Sequence, residues 1–152
     1  MKKISLIAYI TLSVLLVGCS TTAIKPKGSP YTSTPKVKAG KAQIVFYSYT
    51  AVNGWIESAA IKVDSKKNTV GTLVTNQFWV YDIEPGEHRV WGESGFIDSP
   101  TQQNFEEGKT YYFRYISKFI PYASRTWLRP VDEEKAKEEL ASCCSDGVEI
   151  AK

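Results

Sequence analysis

From residue 42 onward, apolar and polar positions alternate with period two in short runs rich in aromatic and β-branched residues, bounded by Gly, Pro and Asn. That is the pattern of half-buried strands. Residues 42–49 put Ile44 and Phe46 on one face and Val45, Tyr47 and Tyr49 on the other; Asn53-Gly54 then carries a type I′ hairpin signal ahead of Trp55. In 58–64, Ala59, Ile61 and Val63 are expected to point inward and Lys62 and Asp64 to water, and Ser65-Lys66-Lys67-Asn68 turns the chain into 69–74. Residues 77–83, the turn Glu84-Pro85-Gly86-Glu87 and residues 88–93 read as a hairpin, because Pro presets φ at the second turn position and Gly supplies positive φ at the third. A second tight connection, Glu106-Glu107-Gly108-Lys109, joins 101–105 to 110–118. Tyr111 to Ile116 is large on both faces, as a central strand covered on both sides would be. Residues 127–131 add a last strand, with Pro130 confining it to an edge or an end. At 132–141 the composition turns helical, with Asp132 as N-cap and Glu133 and Lys137 paired at i, i+4. The sum is an all-β domain, an antiparallel sandwich or partly closed barrel, closed by one short C-terminal helix.

The first 40 residues follow other rules. Met1-Lys2-Lys3, an apolar stretch from Ile4 to Val17 and the small-residue site Leu16-Val17-Gly18-Cys19 make a secretory signal peptide over residues 1–18, too short in its apolar part for a stable span. The same four residues match the lipobox of bacterial lipoproteins, in which the cysteine receives a diacylglycerol and becomes the acylated first residue, so Cys19 is the expected lipidation site. Two or three acyl chains suffice for stable anchoring, at about 0.8 kcal/mol per buried methylene. By resemblance to the sorting signal of Gram-negative lipoproteins, Ser20 directs the protein to the outer membrane, facing the periplasm. Residues 19–40 are rich in Ser and Thr, with Pro26, Pro30, Pro35 and four lysines but no acid, and are expected to form a solvated tether of roughly 25 Å root-mean-square span. The folded domain is then 41–152.

Charge and candidate chemistry change this picture little. Of 19 basic residues the signal peptide removes Lys2 and Lys3, leaving 17 against 16 acidic ones, so the formal charge falls from +3 to +1. No basic stripe interleaved with aromatics appears, which argues against nucleic acid as a partner. His88 is the one histidine, and two residues past a tight turn it is expected to be a partly exposed cross-strand residue. Three cysteines, one spent on lipid, leave no clustered zinc ligands, and no Gly-rich phosphate loop precedes a helix, so neither metal nor cofactor is expected. Cys143-Cys144 is a candidate disulfide in an oxidising compartment, open to three states: bonds to a second copy or partner, giving a disulfide-linked homo-oligomer; a vicinal disulfide; or free thiols. The carboxylate pairs, Glu106-Glu107 and those of the terminal helix, read as turn and solvated-face residues.

The chain resembles the small bacterial lipoproteins that carry domain-of-unknown-function family 2846. The residues that carry the resemblance are Gly40-Lys41-Ala42 with its aromatic strand, Ala60-Ile61-Lys62-Val63-Asp64, Gly71-Thr72-Leu73, Glu84-Pro85-Gly86-Glu87-His88, and Glu107-Gly108-Lys109-Thr110-Tyr111-Tyr112-Phe113-Arg114. The resemblance implies an Ig-like or transthyretin-like β-sandwich behind a lipoprotein signal, with no established activity. The charged turn at 64–68 and the Cys143-Cys144 pair depart from it.

Function is therefore expected from surface rather than from a reactive group: a non-catalytic binding or envelope-structural module, anchored to the membrane by lipid and meeting another envelope protein or a glycan. Outward-facing rings among Tyr47, Trp79, Trp91 and Tyr112 would form its stacking surface. The competing expectation is an envelope hydrolase or redox enzyme using His88 or Cys143 and Cys144.

Overall fold

The computed structural model describes residues 28–49, 58–93, 97–120 and 123–146. The expected signal peptide, Cys19, Ser20, Asn53-Gly54 and Trp55 lie outside these residues. Among the described residues, ten strands and one helix run in the order β1 (Ala42–Ser48), β2 (Ser58–Val63), β3 (Thr69–Val74), β4 (Gln77–Ile83), β5 (Gly86–Glu93), β6 (Ile97–Ser99), β7 (Thr101–Phe105), β8 (Thr110–Ile120), β9 (Ala123–Val131), α1 (Glu133–Cys143) and β10 (Ser145–Asp146). They form a six-stranded sheet, β10-β4-β1-β8-β9-β6, packed on a four-stranded sheet, β3-β2-β5-β7. The all-β sandwich with a short C-terminal helix is as the alternation predicts.

Each sheet contributes alternate side chains to the core between them. Ile44, Phe46, Trp79, Phe113, Tyr115 and Leu128 come from the larger sheet, and Ala59, Ile61, Val63, Leu73, Val90 and Phe105 from the smaller. Ala59, Ile61 and Val63 thus point inward as expected. The sheets approach closely where two glycines of the smaller one receive rings from the larger. A Cβ on Gly71 would stand 2.8 Å from the Trp79 indole, and one on Gly92 would stand 2.8 Å from the Tyr115 ring. At one side Thr126 Oγ1 donates to the Gly92 carbonyl (3.1 Å) and Thr101 Oγ1 to the Leu128 carbonyl (2.7 Å), tying β9 to β5 and β7.

The two tight turns serve a different purpose from the one their chemistry suggests. Residues 77–83 and 88–93 do not pair as a hairpin: β4 lies beside β1 in one sheet and β5 beside β2 in the other. Glu84-Pro85-Gly86 is a corner between layers, with Gly86 at φ 134°. Glu106 to Lys109 is likewise a corner, from β7 to β8, with Gly108 at φ 75°. Turn residues specify a reversal of the chain, not which strand each arm will bond; that is settled by which neighbour covers its apolar face. Hydrogen-bonded hairpins form at β2–β3 and β8–β9. The four-stranded sheet is antiparallel throughout, while in the larger sheet β1–β8, β6–β9 and β10–β4 run parallel.

β1 is buried at all seven positions, because its second face is covered too. Val45 and Tyr47 pack with Phe78, Tyr112, Ala136, Leu140 and Cys144 in a second core beneath α1. Tyr31 joins that core, which corrects the expectation of a solvated tether running to residue 40. Tyr31 is 9% exposed and meets Phe78 edge to face at 5.2 Å. Its N–H donates to the Cys144 carbonyl (2.9 Å), Asp146 N–H donates to the Ser29 carbonyl (2.9 Å), and Lys38 pairs with Asp82. One aromatic side chain supplies the apolar area that the rest of this polar segment lacks. Lys62 is a further correction: it is not turned to water but 9% exposed, its ammonium held by Thr69 Oγ1 (2.6 Å) and Glu93 (3.1 Å).

Candidate functional site

The docked segment, the start of β8 and one flank of α1 enclose an open groove of about 610 Å³, lined by Tyr31 to Val37, Thr110, Tyr112, Glu133, Lys137 and Ala141. Its floor carries a chain of hydroxyls: Tyr31 to Thr34 at 2.7 Å and Thr34 to Tyr112 at 3.0 Å. Lys137, on its helical wall, pairs with Glu133 at i, i+4, as the helix spacing predicts. Burial, opposed by the Thr34 hydrogen bond, raises the Tyr112 pKa above the ordinary phenol value, so the ring stays neutral and its hydroxyl can both donate and accept. The groove is therefore a mixed surface of hydroxyls, two lysines and aliphatic side chains, suited to a polar or hydroxyl-rich ligand.

Under the helix lies a buried polar triad. Glu139, 6% exposed, accepts from the Tyr47 hydroxyl (2.7 Å) and from Arg114 Nη1 (2.7 Å). Burial, then the Glu139 hydrogen bond, pushes the Tyr47 pKa far above its ordinary value. Arg114 Nε is buried without a partner among the described residues. The triad ties α1 to β1 and β8, and it corrects the expectation that every helix carboxylate faces solvent.

His88 is engaged on both sides. Nδ1 lies 2.6 Å from Asp64 Oδ2 and Nε2 lies 3.1 Å from the Glu84 carbonyl, while Asp64 Oδ1 accepts from Arg89 N–H (2.9 Å). Burial raises the Asp64 pKa, but hydrogen bonds from the Arg89 backbone and His88, with the charges of both, outweigh it and hold the carboxyl below its ordinary value. The arrangement pins the β2–β3 turn, where Asp64 has φ 59°, to the β4–β5 corner. Each ring nitrogen therefore lies within hydrogen-bonding distance of an oxygen of the protein itself. Among the described residues no group of three or more His, Cys, Asp or Glu could hold a metal ion, and no helix is long and apolar enough to cross a membrane.

The four rings expected to form a stacking surface are buried: Tyr47 at 0%, Tyr112 at 3%, Trp79 at 5% and Trp91 at 8% exposure. The sheet alternation that would turn some of them outward is overridden by covering layers. α1 and the docked segment lie over Tyr47 and Tyr112, and Trp79 stands in the inter-sheet core. Cys143 and Cys144 are joined to each other as a vicinal disulfide at the end of α1. Their Cα atoms are 3.7 Å apart, and Cys144 is buried.

Tyr31, Thr34, Asp64, Arg114 and Glu139 are site and support residues that sequence patterns do not single out. Tyr31 is the lone aromatic between Ser20 and Gly40, a signal open to use. Glu139 sits in the i, i+3, i+4, i+7 stripe formed with Ala136, Leu140 and Cys143, which places it on the buried face of the helix. The Asp64–His88 contact joins the turn after β2 to the start of β5, 24 residues away, and nothing local announces it.

The chain is 27% identical over 137 residues to an uncharacterized protein of Haemophilus influenzae, covering 88% of this chain and 79% of that one. No solved structure matches it. Residues 38–126, the span from the Lys38–Asp82 pair through most of the sandwich, match the family described as protein of unknown function (DUF2846), and the chain belongs to that family.

Proposed function

We propose that this protein is a lipoprotein of the bacterial outer membrane, acylated at Cys19 and facing the periplasm, whose sandwich serves as a non-catalytic binding or structural module of the envelope. The observation that carries this reading is the short distance between lipobox and fold. The chain is docked from Gly28 onward, so only residues 20–27 separate Cys19 from the domain. Eight residues reach at most about 29 Å at 3.6 Å each. Such a leash keeps the domain within that reach of the bilayer. The groove, rather than an aromatic face, is the surface offered to a glycan or another envelope protein. Occupation of both His88 nitrogens supports a binding role over hydrolysis.

Intact-mass analysis of the protein purified from membranes tests the reading. The expected mass is that of residues 19–152 plus a diacylglyceryl group and an amide-linked acyl chain, in the outer-membrane fraction. A first residue other than acylated Cys19 overturns it.

A further inference from the structure

The end of α1 lacks the residues that usually end helices. No Gly, Asn or Pro stands at 141–146, and the first glycine beyond the helix is Gly147. Yet the helix ends at Cys143, and Cys144 is extended at φ −116°, ψ 142°. The stop coincides with the disulfide. Successive side chains on a helix point about 100° apart, so two neighbours cannot both remain helical with their sulfurs bonded to one another. The bond therefore breaks the helix where composition alone would let it run on towards Gly147.

Immediately past the break, the chain forms the dock for the N-terminal segment. Cys144 presents its carbonyl to Tyr31 N–H (2.9 Å), Asp146 N–H donates to the Ser29 carbonyl (2.9 Å), and Pro30 bridges Ser145 antiparallel. Ser145 and Asp146 pair with Gln77 and Phe78 as β10. The three residues that an extended helix would absorb, Cys144 to Asp146, are the same three that hold residues 29–31.

We infer that the Cys143–Cys144 disulfide is a redox-sensitive latch that holds the segment following the lipidation site onto the sheet, by stopping α1 and leaving residues 144–146 extended as its dock. A dithiol reductant opens it: the Sγ–Sγ bond breaks, two electrons and two protons pass to the sulfurs to give two thiols, and the reductant leaves as its own disulfide. With the ring open, α1 is free to lengthen through 144–146, and Ser29 and Tyr31 lose their backbone partners. The bearing of the latch on how far the domain stands from a membrane rests on the anchoring proposed above; the latch itself is read on the chain alone, so the two fail separately.

The test is amide hydrogen exchange on the full mature protein, before and after dithiothreitol, with a non-reducing peptide map. The map should show Cys143 linked to Cys144; two free thiols or a bond between copies overturns the inference. Reduction should speed exchange over 28–37 by at least about tenfold while β1 and β8 keep their protection, as expected of a local rather than global opening. Cys143→Ser with Cys144→Ser should match reduced wild type and no longer respond to dithiothreitol. Unchanged exchange over 28–37 overturns the latch, as does a loss of protection spread across β1 and β8, which would make the bond a staple of the whole fold.

Discussion

A carboxylate as buried as that of Glu139 is tolerated beneath α1 because each of its oxygens has its own donor, the Tyr47 hydroxyl on one and the Arg114 guanidinium on the other. Removing it strands both donors in a partly desolvated site, so Glu139→Ala should cost about 3 kcal/mol, the lower end for a broken buried pair because Arg114 keeps some access to water. A thermal melt followed by circular dichroism should show a drop of roughly 10 °C for a domain of this size. Glu138→Ala, which loses only an exposed pair with Lys135, should leave the melt unchanged. Asp64 gives a pH-dependent counterpart. Its folded pKa lies below its ordinary 3.8, so its contribution is complete above that value and is lost as pH falls through the lowered one. Asp64→Asn should therefore melt below wild type near neutral pH and converge on it in acid, once the pH has fallen well below the ordinary 3.8. A gap that stays constant down to that pH would detach the effect from the carboxylate charge. The amplitude should be small and salt-sensitive, since half of the Asp64 side chain is exposed.

Among elements, the two sheets fit closely where Gly71 and Gly92 lie under Trp79 and Tyr115. A methyl at Gly92 would have to displace the Tyr115 ring, which is itself 5% exposed and set in the core. Gly92→Ala should accordingly cost about 1–3 kcal/mol by overpacking, read as a lower denaturant midpoint with an unchanged slope. Tyr115→Leu in the same background should restore part of the loss, because the shorter side chain vacates the space. The strands that form these contacts are legible from alternation alone, since inward Ala59, Ile61 and Val63 need only period two. Their partners are not. Pro85-Gly86 reads as a hairpin tip, and the positive φ at Gly86 is real, but pairing depends on β1 and β2 claiming β4 and β5 from opposite layers. Such competition among distant strands leaves no mark in a local window. The burial of Tyr47 and Tyr112 is illegible for a related reason. A strand shows which residues share a face, not that a helix at the far end of the chain will lie over the outer one.

At the scale of the whole molecule, sequence composition misplaces the boundary between tether and domain, because a single aromatic can dock a segment whose average is polar. The docked stretch is held by few contacts: the Tyr31 ring on Phe78, the Thr34 hydroxyl on that of Tyr112, the Lys38–Asp82 pair at its end, and the backbone bonds to residues 144–146. Losing the ring removes most of the apolar area that offsets the entropy of ordering this segment. Tyr31→Ala should then release residues 28–37 while the sandwich, whose inter-sheet core does not include Tyr31, stays folded. Limited trypsin digestion followed by intact-mass measurement reads the difference. In wild type the bonds after Lys36 and Lys38 should resist, the first beside the groove and the second next to an ammonium held by Asp82. In the variant both should be cut within the time that leaves wild type intact, with the near-ultraviolet signal of the core unchanged. Equal resistance of the two proteins would mean that backbone pairing with β10 holds the segment without help from the ring. Cutting accompanied by loss of the core signal would mean that the segment is an integral part of the domain, and that Tyr31 belongs to its folding unit rather than to a separable strap.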